Sequence, residues 1–404
     1  MQSLSDYIKA NWAKTIRTHD KVDDGVYFKL PKPFTVPGLS DGFNFFYYWD
    51  TYFTNIGLII DGMVEQAENN LENMAFLIYR LGYMPNGDRL INRTQPPFFT
   101  RGVYDLYKAT GDKRVIEKFI HPITIELDFF ETDRQTPCGL CGYKHNATNA
   151  YLWSCYDYMV DRVGLTGQTE YDKLELVSDL LSLCESGWDF APRCESKSSP
   201  FSAREFAFLD LNCILYDAET KASEMLSVIG DKEKSEKYLS RALNRKNLIN
   251  ELMRDKDTGV YYDYNFKEDR LSSVLSAVSF MPFALGISCD KNAMFKTLEK
   301  LEFEHGISAC EYRKDKIQLQ WDYPMMWPSN VYFAVEGLKA LGLFEHAKRV
   351  ADKYTVTLES VYAETGKLWE KYDAVSGKVA FTPEYETPPM MGWTAGVYKH
   401  LKNI

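Results

Sequence analysis

Apolar residues recur at helical spacing along most of the chain. Between Val64 and Leu81 they fall at positions 64, 67, 71, 74, 75, 78 and 81, the spacing of one buried helical face. The same periodicity predicts helices over 97–110, 112–132, 146–164, 205–228, 232–253, 271–286, 325–342 and 344–362. Alternating strand patterns are confined to short pieces such as residues 259–266. The pattern therefore predicts an all-α protein.

A recurring turn separates consecutive predicted helices. TGDK at 110–113 and IGDK at 229–232 each place Gly where one helix can end and Asp where it can cap the next, and GLFEH at 342–346 occupies a similar position with a different cap. Helices joined as hairpins over 404 residues, with the chemistry in the connecting loops, are what a closed ring of six hairpins requires. No linker rich in Pro, Gly or Ser interrupts the chain, so residues 1–404 are expected to form one domain.

Three segments far apart in the chain combine tryptophan with a carboxylate. They are FYYWDTYFTNIGL at 46–58, which precedes an apolar helix, ESGWDFAPR at 185–193 and QWDYPMMWP at 320–328. Sugar C–H faces stack on aromatic rings while sugar hydroxyls bond carboxylates and guanidiniums. The three segments therefore indicate a carbohydrate pocket, although an aromatic-rich core is the alternative interpretation for any one of them.

The net charge and the hydropathy limit the kinds of binding partner that are expected for this protein. The formal net charge is −10 and no dense Lys/Arg stripe is present, which argues against nucleic acid or an anionic membrane as partner and favours a small neutral carbohydrate. The first twenty residues contain no apolar signal segment, and no later stretch has the apolar length of a membrane span. A cytoplasmic location is expected.

Eight scattered cysteines are too sparse for a disulfide framework, so reduced thiols are expected. Cys138 and Cys141, followed by His145, can seed a metal site, but no second CxxC pair follows at zinc-site spacing. A loop with free thiols is the alternative, and no metal or other cofactor is expected.

Eight short motifs resemble the trehalase family of inverting α-glycosidases, and they stand in the family's order across residues 35–400. The motifs are FNFFYYWDTYFT, PNGDR, NRTQPPFF, ESGWDF, DLN, QWDYPMMW, EKYD and EYETPPMMGWTAGV. The resemblance implies an (α/α)6 barrel with a sugar pocket in the loops at one end and hydrolysis without a metal. It also implies that Asp189 is the catalytic acid and Glu370 the catalytic base.

The chemistry of an acetal supports both roles. An inverting reaction needs one carboxyl group to protonate the departing oxygen and another to activate water on the opposite face. Trp188 and Phe190 flank Asp189 and are expected to desolvate it, which favours its protonated form, whereas Lys371 can hold Glu370 ionised unless it points to solvent. The alternative makes Asp189 a helix-terminus residue and Glu370 a surface acid.

The same resemblance implies a set of substrate-binding residues that stack on the sugar or bond its hydroxyls. They are Trp49, Asp50, Asn86, Arg93, Gln95, Gly187, Trp321, Asp322, Glu384 and Trp393. For Arg93 an ordinary structural ion pair is the alternative.

Departures from the family pattern bear on specificity. Asn44 stands where the family has an arginine, Met325-Met326 replaces Asn-Gly, and SGKVAFTPEY at 376–385 replaces a glycine-rich run. The family's Arg-Pro-Glu segment has no counterpart between residues 136 and 158. These changes bring the chain closer to the related oligosaccharide glucosidases and glycerate-glycoside hydrolases.

The leading hypothesis is an inverting, exo-acting α-glucoside hydrolase acting on α,α-trehalose, and the alternative substrate is another small α-glucoside or α-mannoside. A sugar epimerase or isomerase is a third hypothesis, but it usually relies on histidine, and none of the six histidines lies in the aromatic segments. An inactive sugar-binding protein is the fourth.

Overall fold

The computed structural model describes residues 2–18, 28–39, 44–165, 173–197, 199–314, 318–381 and 392–404. Fourteen α-helices lie within these ranges, and the all-α prediction is confirmed. They are α1 Leu4–Asn11, α2 Tyr48–Ile60, α3 Val64–Leu81, α4 Phe99–Thr110, α5 Lys113–Asp133, α6 Asn149–Arg162, α7 Lys173–Glu185, α8 Leu209–Ile229, α9 Lys232–Leu252, α10 Met281–Ala284, α11 Lys291–Leu301, α12 Pro328–Ala340, α13 Phe344–Thr365 and α14 Gly392–Leu401.

The predicted helices differ from the observed ones where burial is complete. Within α7 every residue from Leu176 to Glu185 is buried, so no polar face marks the helix in the sequence. Over 271–286 the structure has only a 3-10 turn, Ala277–Phe280, followed by α10, whose first turn carries Pro282. Of the predicted strand at 259–266, only Tyr264–Asn265 forms a strand, and Tyr261 forms an isolated bridge with Arg254.

Six inner helical segments form a closed ring within the described residues. Each segment contacts the next in the order α2, α4, α8, Ala277–Ala284, α12 and α14, and α14 returns to contact α2. Outside them α3, α5, α9, α11 and α13 each follow an inner segment along the chain and pack against it. The hairpin order is that of an (α/α)6 barrel.

The ring closes where α2 meets α14 through two glycines. A Cβ at Gly57 would lie 2.8 Å from the Cα of Gly396, and a Cβ at Gly396 would overlap the carbonyl oxygen of Phe53. Nearby, Lys399 of α14 donates to the Asp61 carboxylate at 2.9 Å, and Trp12 donates to the same carboxylate at 2.7 Å. Only glycine permits the two helices to approach this closely.

The predicted Gly-Asp turns are confirmed. Gly111 ends α4 with φ +68°, and the Asp112 side chain accepts a hydrogen bond from the backbone N–H of Arg114 at 3.0 Å at the start of α5. Gly230 and Asp231 repeat this arrangement between α8 and α9. These turns fix the hairpins that place the connecting segments at the ends of the barrel.

The strands are short and lie in the connecting segments. They are β1 Ile16–Arg17, β2 Phe34–Thr35, β3 Phe206–Ala207, β4 Tyr264–Asn265, β5 Arg270–Leu271, β6 Met325–Met326 and β7 Tyr372–Asp373. The antiparallel pairing of β6 with β7 holds Met326 opposite Tyr372, so the segment QWDYPMMWP lies beside Glu370. Among the described helices none has both the length and the apolar character needed to cross a bilayer.

Candidate active site

A cavity of about 270 Å³ opens at one end of the barrel, among the segments that lead into inner helices. Ten of the twelve residues predicted from the motifs lie on its wall, and no histidine of the described residues does. The ten are Trp49, Asp50, Asn86, Arg93, Gln95, Gly187, Asp189, Trp321, Glu370 and Trp393. The structure therefore brings together residues that the chain separates widely.

Of the eleven predicted residues that the structure describes, only Asp322 does not line this wall. Asp322 accepts hydrogen bonds from Arg313 at 2.8 Å and from the backbone N–H of Tyr323 at 2.8 Å, and it is buried away from the cavity. Its carboxylate therefore helps to hold its own loop, and its expected contact with sugar stays a prediction. Glu384 lies outside the described residues, as does the rest of 382–385, the last part of the altered segment at 376–385.

Five tryptophans pack together behind the cavity. Trp321 stacks on Trp327 with centroids 3.9 Å apart and planes 2° apart, and Trp188 stacks on the Trp321 system at 4.7 Å. Trp393 and Trp49 contact this stack at 5.5 Å and 5.6 Å. The tryptophans thus belong both to the core and to the cavity wall. The interpretation as an aromatic-rich core and the interpretation as a pocket wall are therefore compatible.

The turn before Asp189 requires glycine. Gly187 has φ +73°, and a Cβ there would lie 2.6 Å from Cζ2 of Trp49. The Trp49 ring thus packs directly on the backbone of this turn. A side chain at position 187 would move the ring that forms one wall of the cavity.

Buried ion pairs anchor this turn on both sides. Before it, Glu185 accepts two hydrogen bonds from Arg134, at 2.8 and 2.9 Å, and others from the backbone N–H groups of Thr94 and Lys144. After it, fully buried Arg193 donates to two other carboxylates at 2.8–3.0 Å. These carboxylates belong to Asp210 of α8 and to Asp263. The backbone around Asp189 is therefore held by two charge-assisted networks.

Asp189 itself faces a cation that the sequence analysis missed. Arg162, the last residue of α6, donates from Nη2 to the Asp189 carboxylate at 2.8 Å and to its carbonyl oxygen at 3.2 Å. The Asp189 side chain is 32% exposed. Trp188 stacks on Trp321 and Phe190 packs against Phe201, so the expected enclosure of this carboxyl by its flanking rings is wrong.

Glu370 has the opposite surroundings. Its side chain is almost fully buried, and the fully buried Lys371 donates to its carboxylate at 3.1 Å. The Lys371 ammonium also lies 4.9 Å from the centre of the Trp327 ring, while Thr394 of α14 donates to the Glu370 carbonyl oxygen at 3.1 Å. Lys371 therefore points inward, and a buried cation beside a carboxylate favours the ionised carboxylate.

A third carboxyl group lies in the same cavity. The pKa of Asp50 is raised from 3.8 to about 7, mainly by burial and to a lesser extent by the nearby carboxylates of Glu370 and Asp189. Burial and the charge of Asp50 also raise the pKa of Tyr47, which lines the cavity beside it. The cavity thus contains three carboxyl groups close enough to influence one another.

Arg93 has donors available at the wall. Its Nη1 donates to Asn92 at 2.8 Å, and its buried Nε has no hydrogen-bond partner in the part of the chain that the structure describes. Within the same ranges Arg93 forms no ion pair with a carboxylate, so the alternative of a structural ion pair is not observed. Close by, Gln95 accepts from the backbone N–H of Trp49 at 3.2 Å.

The residues considered for a metal site have other partners. The Cys141 thiol donates to the Phe130 carbonyl oxygen at 3.4 Å, Cys138 contacts the Thr136 hydroxyl, and His145 bonds the Ser178 hydroxyl at 2.7 Å. The described residues contain no cluster of three or more metal-ligating side chains.

Several wall residues lie outside the quoted motifs or were given no role in them. They are Pro37, Tyr47, Leu90, Tyr158, Arg162, Cys184, Gln320 and Trp327. Tyr158 and Arg162 lie in the helix predicted at 146–164, whose sequence is rich in aromatic residues. Periodicity alone does not show that this helix borders the cavity.

Comparisons with known proteins identify the family and similar folds. The trehalase family model matches residues 1–404. The chain is similar to neutral trehalase Nth1 from Saccharomyces cerevisiae, with 23% identity, a TM-score of 0.77 and coverage of 100% of this chain and 80% of that chain. It is also similar to the GH63 mannosylglycerate hydrolase from Thermus thermophilus, with 16% identity, a TM-score of 0.67 and coverage of 99% and 100%.

Proposed function

Because the chain belongs to the trehalase family and is a glycoside hydrolase, we propose that it is an inverting, exo-acting α-glucoside hydrolase whose preferred disaccharide substrate is α,α-trehalose. The proposal is supported above all by one observation: Asp189 and Glu370 lie far apart in sequence yet line the same cavity. An inverting hydrolase needs one carboxyl group on each side of the scissile bond.

Asp189 is the proposed general acid. It gives its proton to the glycosidic oxygen as the bond to the anomeric carbon breaks. In the free protein its carboxylate pairs with Arg162, so the acid role requires that this contact loosens when Asp189 takes up its proton. The position of Asp189 at the more exposed side of the cavity suits a residue that acts on the departing group.

Glu370 is the proposed general base. Lys371 favours its ionised form, in which it accepts a proton from water while that water attacks the anomeric carbon from the opposite face. The first sugar then leaves as its β-anomer. In this reaction the two carboxyl groups stand about 6.5–9.5 Å apart, which leaves room for the water.

The remaining predicted residues bind the sugar in this proposal. Trp49 and Trp393 offer ring faces, while Asn86, Arg93 and Gln95 offer donors and acceptors for hydroxyl groups. Asp50, whose pKa is about 7, can bond a sugar hydroxyl in either protonation state near neutral pH. We further propose that residues 1–404 act as one catalytic domain in the cytoplasm.

The test is the configuration of the first product. Proton NMR of the anomeric signals during early turnover of trehalose, before mutarotation, is expected to show β-glucose and α-glucose in equal amounts from the two halves of the substrate. Formation of α-glucose alone would indicate retention and would exclude the roles given to both carboxylates.

A related substrate is the second candidate. The similarity to a mannosylglycerate hydrolase favours it, and so does Arg93, whose guanidinium is not paired with a carboxylate of the described residues and can bind a substrate carboxylate. Glucose or mannose release from trehalose, kojibiose, nigerose, maltose, isomaltose, glucosylglycerate and mannosylglycerate separates the two. A kcat/KM for either glycerate glycoside above that for trehalose would select the second candidate.

A further inference from the structure

The helix α6 differs from the other helices in what it exposes. Of its fourteen residues only Leu152 and Met159 are buried, and it carries three of the large exposed aromatic side chains of the described chain. Tyr151 is 37% exposed, Trp153 53% and Tyr158 62%. Exposed apolar rings grouped on one element indicate an interaction site more strongly than rings scattered singly over a surface, so this helix has the composition of a contact surface.

Two of the three rings lie on the face that reaches the cavity. Residues seven apart on an α-helix differ by only about 20° in direction, so Tyr151 and Tyr158 share a face, and Arg162 lies on it one turn further on. Tyr158 and Arg162 both line the cavity. The exposed face of α6 is therefore continuous with the cavity mouth and extends about 10 Å beyond Tyr158 along the helix.

Trp153 lies on a different face. It stands about 140° around the helix from Tyr158, contacts Tyr156 at 6.1 Å and does not line the cavity. The same helix thus provides an exposed ring on the cavity side and one away from it.

We propose that Tyr158 and Tyr151 form a stacking platform for sugar units on the leaving-group side of the scissile bond, beyond the unit that adjoins that bond. The ligand class is a neutral α-linked oligosaccharide of three or more units. The inference rests on the proposed function, because it takes Asp189 as the acid that protonates the departing oxygen.

The direction of the platform follows from the position of Arg162. This residue pairs with Asp189, and Tyr158 lies one helical turn before it, so the rings begin beside the proposed acid and continue outward. The tryptophan stack forms the inner wall of the cavity, and the terminal sugar of the substrate of an exo-acting enzyme is expected to bind against this wall. An extended substrate therefore leaves the cavity along α6.

Polar side chains on this face suit a saccharide better than an apolar protein partner. Ser154 and Asp161 lie within about 60° of Tyr158 around the helix, and both are exposed. A hydroxyl and a carboxylate next to stacking rings give sugar hydroxyls the partners they need. This is the same combination of ring and acid that lines the cavity itself.

The experiment compares substrates that differ by added units. We would measure kcat/KM for trehalose and 4-O-α-glucosyl-trehalose, and for maltose, maltotriose and maltotetraose, with the wild type and with Tyr158→Ala, Tyr158→Phe and Trp153→Ala. In the series that is cleaved, the third unit is expected to raise kcat/KM about three- to tenfold, the range of an aromatic stacking contact.

Tyr158→Ala is expected to abolish that gain, Tyr158→Phe to keep it because the ring remains, and Trp153→Ala to leave both the gain and disaccharide hydrolysis unchanged. Absence of any gain from the third unit, or an equal loss of gain in Trp153→Ala, would overturn the platform while disaccharide hydrolysis still supports the proposed function. If no member of either series is cleaved, the proposed function fails and the platform fails with it.

Discussion

Asp189 and Glu370 face the same cavity but are held in opposite ways. At Asp189 the backbone is fixed by buried ion pairs on both sides, while the carboxylate is partly exposed and meets an arginine from the most exposed helix, α6. At Glu370 the carboxylate itself is buried, and a fully buried lysine holds it. In the proposed mechanism, the acid that must gain and lose a proton thus lies at the more exposed side of the cavity, and the base that must stay ionised lies within the core.

The largest expected effect separates the chemical roles of the two acids. Asp189→Asn and Glu370→Gln should each lower kcat for trehalose by about 10³-fold or more while the protein stays folded. With 4-nitrophenyl α-glucoside, whose leaving group needs no proton, Asp189→Asn should regain most of its loss and Glu370→Gln should not. Steady-state rates with both substrates check this, with circular dichroism as the folding control.

Equal recovery in the two variants would remove the distinction between acid and base. Unimpaired turnover of trehalose by either variant would exclude that carboxylate from the chemical step.

The next effect concerns the backbone anchor of Asp189. Arg193→Met leaves the buried carboxylates of Asp210 and Asp263 without their cation, so the free energy of unfolding should fall by about 3–5 kcal/mol. Arg254→Met is the matched control, because Arg254 pairs with Asp290 where both side chains are about one-third exposed, and about 1 kcal/mol or less is expected. Urea denaturation of both variants measures the difference.

A smaller effect on the free energy of unfolding is expected when the cation beside each carboxylate is removed. Lys371→Met leaves Glu370 buried beside an apolar side chain, and we expect about 2–3 kcal/mol of destabilisation, since the cavity gives Glu370 some access to water. Arg162→Met should cost about 1 kcal/mol or less, because Asp189 is partly exposed. If the two variants lose equal stability in urea denaturation, the contrast between a buried and an open carboxylate is incorrect.

The smallest effect is expected for Asp50, which lines the same cavity as Asp189 and Glu370. Its pKa is raised from 3.8 to about 7 in the folded protein, so between these values the unfolded chain ionises first and binds fewer protons. The contribution of Asp50 to stability is therefore complete below about pH 4 and is lost as the pH rises through 7.

Asp50→Asn removes this dependence. Relative to the wild type, the variant should gain about 1–2 kcal/mol in free energy of unfolding between pH 4.5 and pH 8, a value reduced because the carboxyl borders the cavity. Urea denaturation at both pH values measures the change, and the difference between the two proteins cancels groups that they share. A constant difference across this range would contradict the raised pKa.

The sequence predicted the fold where each helix has an apolar face and a polar one. α3 was predicted residue for residue, and Gly111 and Asp112 marked the turn after α4. α7 was not predicted from the sequence, because it is buried on every side and therefore has no periodic pattern of apolar and polar residues.

For the site, the sequence predicted the residues within the motifs but not the contacts that depend on tertiary packing. Motif order identified the residues that line the cavity, because each lies in an inner helix or in the segment that leads into one. It did not reveal Arg162, whose meeting with Asp189 depends on how α6 packs, or the pairing that takes Asp322 out of the wall. The sequence also did not show whether Lys371 points inward or to solvent, since a lysine beside an acid points inward only when the surrounding tertiary structure requires it.

The contact between Gly57 and Gly396 has a consequence for biosynthesis. Trp49 and Asp50 lie on α2 and are among the first residues of the site to be translated, whereas Trp393 lies on α14 and is among the last. A nascent chain emerging from the ribosome therefore holds an open arc of hairpins with exposed aromatic surface until α14 is released and docks. Catalytic competence should arise in one late step, when α14 docks on α2 and closes the ring.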